Sequence, residues 1–200
     1  MMKKMKLLAL AAAAVFAGSL AAAPQVGQPA PAFTVKDSAG QVHSLQDFAG
    51  KNVVLEWTNH DCPFVVKHYQ GNMQQLQQDL TSQDVVWLSV ISSAPGKQGH
   101  VDQAKSDELT SSRGAAPTAV IFDADGVMGK AYDARTTPHM YVIDKNGVLQ
   151  YMGGIDSIPS AKVEDIAKAT PYFANAAKAV LAGQAPDPAV TRPYGCSIKY

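Results

Sequence analysis

The segment 53–69 most constrains the fold, because it places a cysteine between an apolar run and an amphipathic run. Residues 53–55 are bulky and contiguous, as expected of a strand buried on both faces of a sheet. From residue 66 onward, apolar side chains recur at steps of three and four, which predicts one amphipathic helix to about residue 80. Its predicted inward residues are Val66, Tyr69, Met73, Leu76 and Leu80, and its predicted outward residues are Gln74, Gln75, Gln77 and Gln78. Cys62 therefore lies at a strand-to-helix junction.

The position of Cys62 favours a reactive thiol. Pro63 suits the first helical position, because that position needs no backbone N–H, and this makes Cys62 the expected N-cap. Unpaired N–H groups and the helix dipole stabilise a thiolate there, although the neighbouring Asp61 opposes it. The alternative is that Cys62 is a small, buried apolar residue without chemistry, which is common for free cysteine.

The rest of the chain alternates strands and helices. We expect an N-terminal β-hairpin over 33–45, buried strands at 85–91 and 119–122, a polar helix at 101–113 and a short helix at 127–132. Asn146 and Gly147 between two apolar runs predict a tight hairpin, whose first strand is opened by Pro138. Ser160 and Pro171 each mark a helix start, and Gly183 marks the end of the last helix. This pattern predicts an α/β domain with a right-handed crossover.

The amino terminus has the features of a secretory signal peptide. Three lysines precede an apolar, alanine-rich run and then small residues up to Ala23. An uncleaved membrane anchor is the alternative, but the run is short for a membrane span. We expect a signal peptide at 1–23, one domain at 24–183 and a tail at 184–200, with no membrane association after cleavage. Export of a bacterial type would make the protein periplasmic.

The net charge and the cysteine content limit the classes of function that the chain can have. Without the signal peptide, 14 basic and 17 acidic residues remain, so the net charge near −3 argues against nucleic acid as a partner. The chain holds two cysteines, Cys62 and Cys196, and disulfides persist in the periplasm. Two cysteines are too few for a disulfide scaffold and suit either a single staple or a redox pair.

The order of these elements resembles the thioredoxin fold, and more narrowly the peroxiredoxin-like redoxins of the alkyl hydroperoxide reductase and thiol-specific antioxidant superfamily. The resemblance covers residues 26–200. It is carried by Val26, Gly27, Pro29, Ala30, Pro31 and Phe33, by residues 59–67, by Thr137, Pro138 and the hairpin through Gly153, and by residues 195–199. It implies a thioredoxin-like α/β fold with a central mixed sheet flanked by helices and an N-terminal β-hairpin extension.

The resemblance also implies roles for particular residues. Cys62 would be the nucleophile, and Thr137 with Pro138 would form the cis-proline loop that holds an extended substrate by backbone pairing in thioredoxins. Glu56 lies six residues before Cys62, where thioredoxins carry a buried acid for proton transfer. A carboxyl group at the end of an apolar strand would have a raised pKa and could accept a thiol proton; alternatively, Glu56 points outward or pairs with Lys67.

The sequence departs from the family pattern at three positions. Val65 stands where thioredoxins place a second cysteine. Asn59 occupies the position of the peroxiredoxin threonine, with Thr58 one residue further from Cys62, and Pro138 occupies the position of the peroxiredoxin arginine. Arg135 is near enough in sequence to substitute. A hydroxyl and a guanidinium together polarise the peroxide, so these departures weaken the case for peroxidase activity.

The leading hypothesis is an exported thiol oxidoreductase that needs no cofactor or metal. Cys62 would attack a peroxide or a protein disulfide, Cys196 would resolve the intermediate, and an unknown thiol would reduce the product. Cys196 is the only other thiol in the chain. Its tail contains three prolines and Gly195, and we expect it to fold back across the face that carries Pro63 and Pro138.

Two alternatives remain at this point. In the first, the soft or borderline ligands His60, His68 and His139 converge with the two cysteines on copper or zinc, although their spacing is not diagnostic. In the second, Cys62 and Cys196 form an inert disulfide that pins the tail. Closure of so long a loop would stabilise the fold by about 4–5 kcal/mol.

Overall fold

A computed structural model describes residues 23–200, so the predicted signal peptide lies outside the described residues apart from Ala23. The strands are β1 (Thr34–Asp37), β2 (Val42–Ser44), β3 (Val53–Trp57), β4 (Val86–Ile91), β5 (Ala119–Phe122), β6 (Thr136–Thr137), β7 (His139–Ile143), β8 (Leu149–Gly153) and β9 (Cys196–Ser197). The α-helices are α1 (Pro63–His68), α2 (Asn72–Thr81), α3 (Gln103–Ser112), α4 (Val127–Ala131) and α5 (Tyr172–Leu181). Two 3-10 helices, Leu45–Phe48 and Val163–Lys168, complete the described elements.

Strand β3 is central in a seven-stranded sheet with the order β2-β1-β5-β4-β3-β7-β8. It pairs in parallel with β4 and antiparallel with β7, so that Trp57 lies opposite both Val90 and His139. Every residue of β3 is buried, as its apolar run predicts. The parallel β3–β4 pair with its helical crossover and the antiparallel β1–β2 hairpin confirm the predicted mixed sheet with an N-terminal hairpin extension.

Alternate residues of β3 face two separate cores, because side chains along a strand point to opposite faces. Val53, Leu55 and Trp57 belong to one core, which also contains Met128 and Tyr132 from the region of α4. Val54 faces the other core, in which Met73 of α2 and Phe173 of α5 are buried. Helices therefore cover both faces of the sheet.

The predicted single helix after Cys62 is wrong in its continuity. Helix α1 ends at His68, and α2 begins at Asn72 after Gly71, whose φ of +119° is one that side chains rarely adopt. The interruption changes the helical phase. As a result Val66 is 40% exposed instead of inward-facing, and Gln77 is fully buried instead of outward-facing.

Two local predictions also need correction. The β7–β8 connection is a three-residue loop, not a two-residue one, because Asp144 N–H bonds to the Val148 oxygen and encloses residues 145–147. The segment after Ser160 forms a 3-10 helix that begins only at Val163, and Val163 is exposed. The Ser160 hydroxyl instead donates to the Asp165 carboxylate.

The tail crosses the molecule and ends beside the cis-proline loop. Strand β9 pairs antiparallel with β6, so that Cys196 lies opposite Thr137 and Ser197 opposite Thr136. The Thr137–Pro138 peptide bond is cis. Within residues 23–200, no helix has the length and apolar character that crossing a membrane requires.

Candidate active site

Cys62 is the N-cap of α1, and Pro63 is the first helical residue. Cys62 has an extended backbone conformation, with φ −78° and ψ 121°, and its own N–H donates to the Asn59 oxygen. The residue has no exposed surface. The strand-to-helix junction thus places Cys62 at the start of α1, as the sequence predicts.

The structure brings Cys196 directly against Cys62. The Cys196 N–H points to the Cys62 sulfur with a nitrogen-to-sulfur distance of 3.4 Å, and the Cys62 thiol donates to the Thr137 oxygen at 3.1 Å. Gly195 permits this approach, because its φ is +137° and a Cβ atom there would collide with the Thr137 carbonyl oxygen. Both cysteines are free thiols, and Cys196 is partly exposed.

The local contacts favour ionisation of Cys62. Burial by itself raises the pKa of a thiol, because a poorly solvated site disfavours the thiolate. Contacts with the Cys196 thiol and N–H and with the Val65 N–H outweigh burial, so the pKa of Cys62 is lowered. A lowered pKa at a helix start is typical of reactive cysteines.

The surroundings of Cys196 shift its pKa in the opposite direction. Burial, the hydrogen bond to Cys62 and the charge of Cys62 raise the pKa of Cys196 to about 12, and Lys199 offsets only part of this. The first proton therefore leaves Cys62, and Cys196 stays a thiol at neutral pH. This division of roles suits a nucleophile and a second thiol that reacts after it.

Thr137 contributes a backbone contact and an unused hydroxyl. Its carbonyl oxygen accepts the Cys62 thiol, whereas its side-chain oxygen is buried and has no hydrogen-bond partner among residues 23–200. The family resemblance signals the loop, but not this free hydroxyl.

The residues at the peroxiredoxin-like positions do not reach the sulfur through their side chains. The Asn59 side chain accepts from the Asp61 N–H and lies 3.4 Å from the Gln98 oxygen. The Arg135 side chain is 70% exposed and paired with Asp133, so the suggested substitution for the family arginine is not observed. The Thr58 hydroxyl is buried and without a partner in the described part of the chain.

Glu56 lies in a buried hydrogen-bond network. Its carboxylate accepts from four side chains, namely Tyr69, Gln77, Trp87 and Ser89. Burial raises the pKa of Glu56, although these four donors lower it in part. The outward orientation and the pairing with Lys67, which the sequence left open, are both wrong. Among residues 23–200, the Glu56 carboxylate makes no hydrogen bond with either cysteine.

Sequence reasoning missed a second buried polar cluster, formed around Asp156. Its carboxylate accepts the Tyr194 hydroxyl at 2.5 Å and lies 3.4 Å from the Lys67 ammonium. Lys67 and His68 have no exposed side-chain surface. Burial and the Lys67 charge lower the pKa of His68 to about 4 despite Asp156, so His68 is neutral at pH 7. Lys67, Asp156 and Tyr194 lie far apart in the sequence, so no local sequence pattern predicts that they meet.

The geometry gives no support to the metal-binding alternative. His68 contacts Tyr194 and Asn72, and His139 contacts Tyr141 and the Arg135 N–H, so each is held in a separate network. Across residues 23–200, no three His, Cys, Asp or Glu side chains come together as a metal site would require.

Comparisons with known proteins agree on the fold. Thioredoxin-like protein YneN of Bacillus subtilis (strain 168) is 29% identical over 128 residues, which cover 63% of this chain and 69% of that protein. The hypothetical protein SMc02350 of Sinorhizobium meliloti 1021 has a TM-score of 0.73 at 21% identity, covering 90% of this chain and 96% of that one. The thioredoxin domain of thiol-disulfide oxidoreductase BVU-2223 of Bacteroides vulgatus has a TM-score of 0.50 at 17% identity, covering 72% and 96%.

A family model provides the assignment. The model described as "AhpC/TSA family" matches residues 26–152, which is more than half of the chain and includes Cys62 and the cis-proline loop. The match ends before the tail that carries Cys196. The chain therefore belongs to the AhpC/TSA family and is a thiol oxidoreductase with a thioredoxin-like fold.

Proposed function

We propose that Cys62 and Cys196 form the working dithiol–disulfide couple of an exported thiol oxidoreductase. The observation that carries the proposal is the β6–β9 pairing, which places the Cys196 N–H 3.4 Å from the Cys62 sulfur. A buried thiol with a lowered pKa next to a partly exposed thiol with a raised pKa supplies a nucleophile and its resolving partner.

Oxidation follows one of two balanced routes. With a hydroperoxide, the Cys62 thiolate attacks the terminal oxygen, the O–O bond breaks, and the alkoxide leaves with a proton as an alcohol. Cys196 then attacks the sulfenic sulfur, and its proton departs with the hydroxide as water. With a disulfide, the Cys62 thiolate attacks one substrate sulfur, the substrate S–S bond breaks, and the other substrate sulfur leaves and takes up a proton. Cys196 then loses its proton and attacks the Cys62 sulfur of the mixed disulfide, which displaces the second substrate sulfur as a thiol. Both routes end in a Cys62–Cys196 disulfide.

Reduction would begin at Cys196. Cys196 is partly exposed, whereas Cys62 is not exposed at all, so an incoming thiolate of the reductant reaches Cys196 first. Attack there breaks the S–S bond and releases Cys62 as a thiolate, and a lower pKa makes a better leaving group. A second thiol of the reductant then releases Cys196. The reductant would be a dithiol, which is oxidised to its disulfide.

Glu56 serves this function only indirectly in our proposal. Its Tyr69 and Ser89 donors line a cavity of about 40 Å³, which also borders the free Thr58 hydroxyl. Such a volume is sufficient for a water molecule. Proton transfer to or from Glu56 would use these hydroxyls and that water.

Trapping experiments test the couple. The reduced protein should form one intramolecular disulfide on treatment with hydrogen peroxide or a low-molecular-weight disulfide, detected by the loss of two thiols and by peptide mass spectrometry. Cys196→Ser should accumulate a sulfenic acid or a mixed disulfide on Cys62, and Cys62→Ser should accumulate neither. Persistence of both thiols in the wild type under every oxidant would refute the proposal.

Export is part of the proposal and rests on the predicted signal peptide at 1–23. Fractionation of cells that express the full chain should recover a shortened protein in the periplasm. Substitution of Lys3, Lys4 and Lys6 by glutamate should retain the full-length form inside the cell, because the basic start of a signal peptide is needed for export.

A further inference from the structure

The tail is anchored next to Cys196 by the side chain of Tyr194. The Tyr194 hydroxyl donates to the Asp156 carboxylate at 2.5 Å and lies 3.2 Å from Nε2 of His68. Its ring packs edge-on against Phe64, with ring centroids 5.7 Å apart. A residue two positions before Cys196 is therefore fixed through both its hydroxyl and its ring.

The anchor connects the tail to the helix that begins at Cys62. His68, Lys67 and Phe64 all belong to α1. The Lys67 ammonium lies 3.4 Å from both the Asp156 carboxylate and the Ile158 oxygen, and its side chain is fully buried. A buried charge is costly unless it is paired, so the Lys67–Asp156 pair requires its partners to stay in place.

We propose that Tyr194 is a positioning residue that latches the tail to α1 and thereby holds Cys196 against Cys62. This inference rests on the proposed dithiol–disulfide couple and assigns a role in it to a residue that touches neither sulfur. Without the latch, Cys196 would be held by the β6–β9 pair of two residues per strand and by contacts of the tail beyond Cys196, such as the Ile198 N–H bond to the Arg135 oxygen.

Chain geometry makes Tyr194 the closer of the two tyrosine anchors of the tail. Two residues of chain span at most about 7 Å, so fixing Tyr194 limits where Cys196 can lie. Tyr200 anchors the other side: its hydroxyl donates to the Ala134 oxygen at 2.9 Å, and its ring fills the space above Gly126 and Gly129. Tyr200 lies four positions after Cys196, and this longer connection constrains the thiol less.

The direct test is Tyr194→Phe, which keeps the ring against Phe64 and removes the hydroxyl. Wild type and variant are equilibrated in glutathione redox buffers, and the Cys62–Cys196 disulfide fraction is measured by thiol alkylation. We expect the equilibrium constant for disulfide formation to fall about tenfold, because the effective concentration of Cys196 at Cys62 falls; for this two-electron couple that is about 30 mV.

Two tyrosines serve as controls. Tyr172 lines the same groove beside Asp156, and its hydroxyl makes no hydrogen bond within the part of the chain that the structure describes. Tyr172→Phe should leave the equilibrium constant unchanged. Tyr200→Phe should lower it by less than Tyr194→Phe does, because its anchor is further from Cys196.

The outcomes separate the latch from a purely structural role and from failure of the couple itself. If Tyr194→Phe lowers the melting temperature equally in the oxidised and reduced forms and leaves the equilibrium constant unchanged, Tyr194 only stabilises the fold and the latch is refuted. If the wild type forms no Cys62–Cys196 disulfide in any buffer, both the couple and the latch are refuted.

Discussion

The two cysteines lie in contact but in regions of very different construction. Cys62 is buried at the start of the helix that follows the central strand, and it is supplied with hydrogen-bond donors. Cys196 lies in a two-residue strand of an otherwise irregular tail, partly exposed. The comparison shows that the fold fixes the nucleophile through its core, whereas the partner thiol depends on a few side-chain and backbone contacts.

The tail region should be the easier of the two to disrupt, and Gly195→Ala tests this with the largest expected effect. A Cβ atom would collide with the Thr137 carbonyl oxygen and force β9 away from β6. We expect the rate of Cys62–Cys196 disulfide formation to fall about 100-fold, as a displacement of reacting groups by about 1 Å can cost. Stopped-flow thiol loss after peroxide addition measures it.

Gly183→Ala is the matched control for Gly195→Ala. Gly183 also has a positive φ, of +72°, but open space surrounds the position of its Cβ atom. Both substitutions carry a backbone cost of about 1–2 kcal/mol. Equal effects of the two on disulfide formation would show that close contact at Gly195 does not place Cys196.

Removing the sulfur of Cys62 should reveal how strongly this residue raises the pKa of Cys196. In Cys62→Ala, the hydrogen bond and charge that Cys62 imposes are lost, so the pKa of Cys196 should fall from about 12 toward the ordinary thiol value of 9.0. Thiolate absorbance at 240 nm as a function of pH measures this. An unchanged pKa would mean that burial alone, the largest contribution, controls Cys196.

Glu56→Gln tests how much the buried hydrogen-bond network around Glu56 stabilises the fold. The four side chains around Glu56 all donate to it, so an amide leaves at least one donor unpaired, and we expect a loss of about 1–3 kcal/mol in the free energy of unfolding. Urea denaturation measures this loss. Glu108→Gln is the control, because Glu108 is exposed and pairs with Lys105 at the surface.

The same variant has a predicted pH signature. Burial raises the pKa of Glu56 above its ordinary value of 4.5, so the folded state holds one proton more than the unfolded state between the two values. The free energy of unfolding of the wild type should therefore decrease as pH rises from 4.5 to the folded-state pKa. Glu56→Gln should lack this contribution; an identical pH dependence in both proteins would contradict a raised pKa.

The smallest effect is expected for Arg135→Ala. The Arg135 side chain pairs with Asp133 at the surface, whereas its backbone oxygen accepts the Ile198 N–H of the tail. Alanine keeps that backbone bond, and exposed ion pairs contribute about 0–1 kcal/mol. The rate of Cys62 oxidation by peroxide should therefore stay within about twofold of the wild-type rate. A competition assay for peroxide measures this rate. A large loss would show that Arg135 acts on the peroxide after all.

The sequence predicted the Cys62 region better than the tail cluster for a physical reason. The buried strand, the N-cap cysteine and Pro63 are local features, encoded within a dozen residues. The burial of Gln77 and Lys67 depends on Glu56 and Asp156, which lie 21 and 89 residues away. Helical periodicity counts both side chains as solvent-facing, because it contains no information about distant polar partners.

The break between α1 and α2 shows a related limit. Gly71 is compatible with a continuous helix as well as with the positive φ it adopts, and the apolar spacing alone favours continuity. Tertiary packing decides between them. The family resemblance, in contrast, predicted the cis-proline loop, whereas the need for a second thiol predicted that the tail folds back onto the face that carries this loop.

The reduction potential of the Cys62–Cys196 pair in the wild-type protein tests the central claim most directly. It is measured by equilibration with dithiothreitol or glutathione buffers and quantification of the disulfide by mass spectrometry. A working couple predicts a potential above about −300 mV, within reach of cellular thiols. A potential below about −300 mV would contradict the account and identify the pair as a structural staple of the tail.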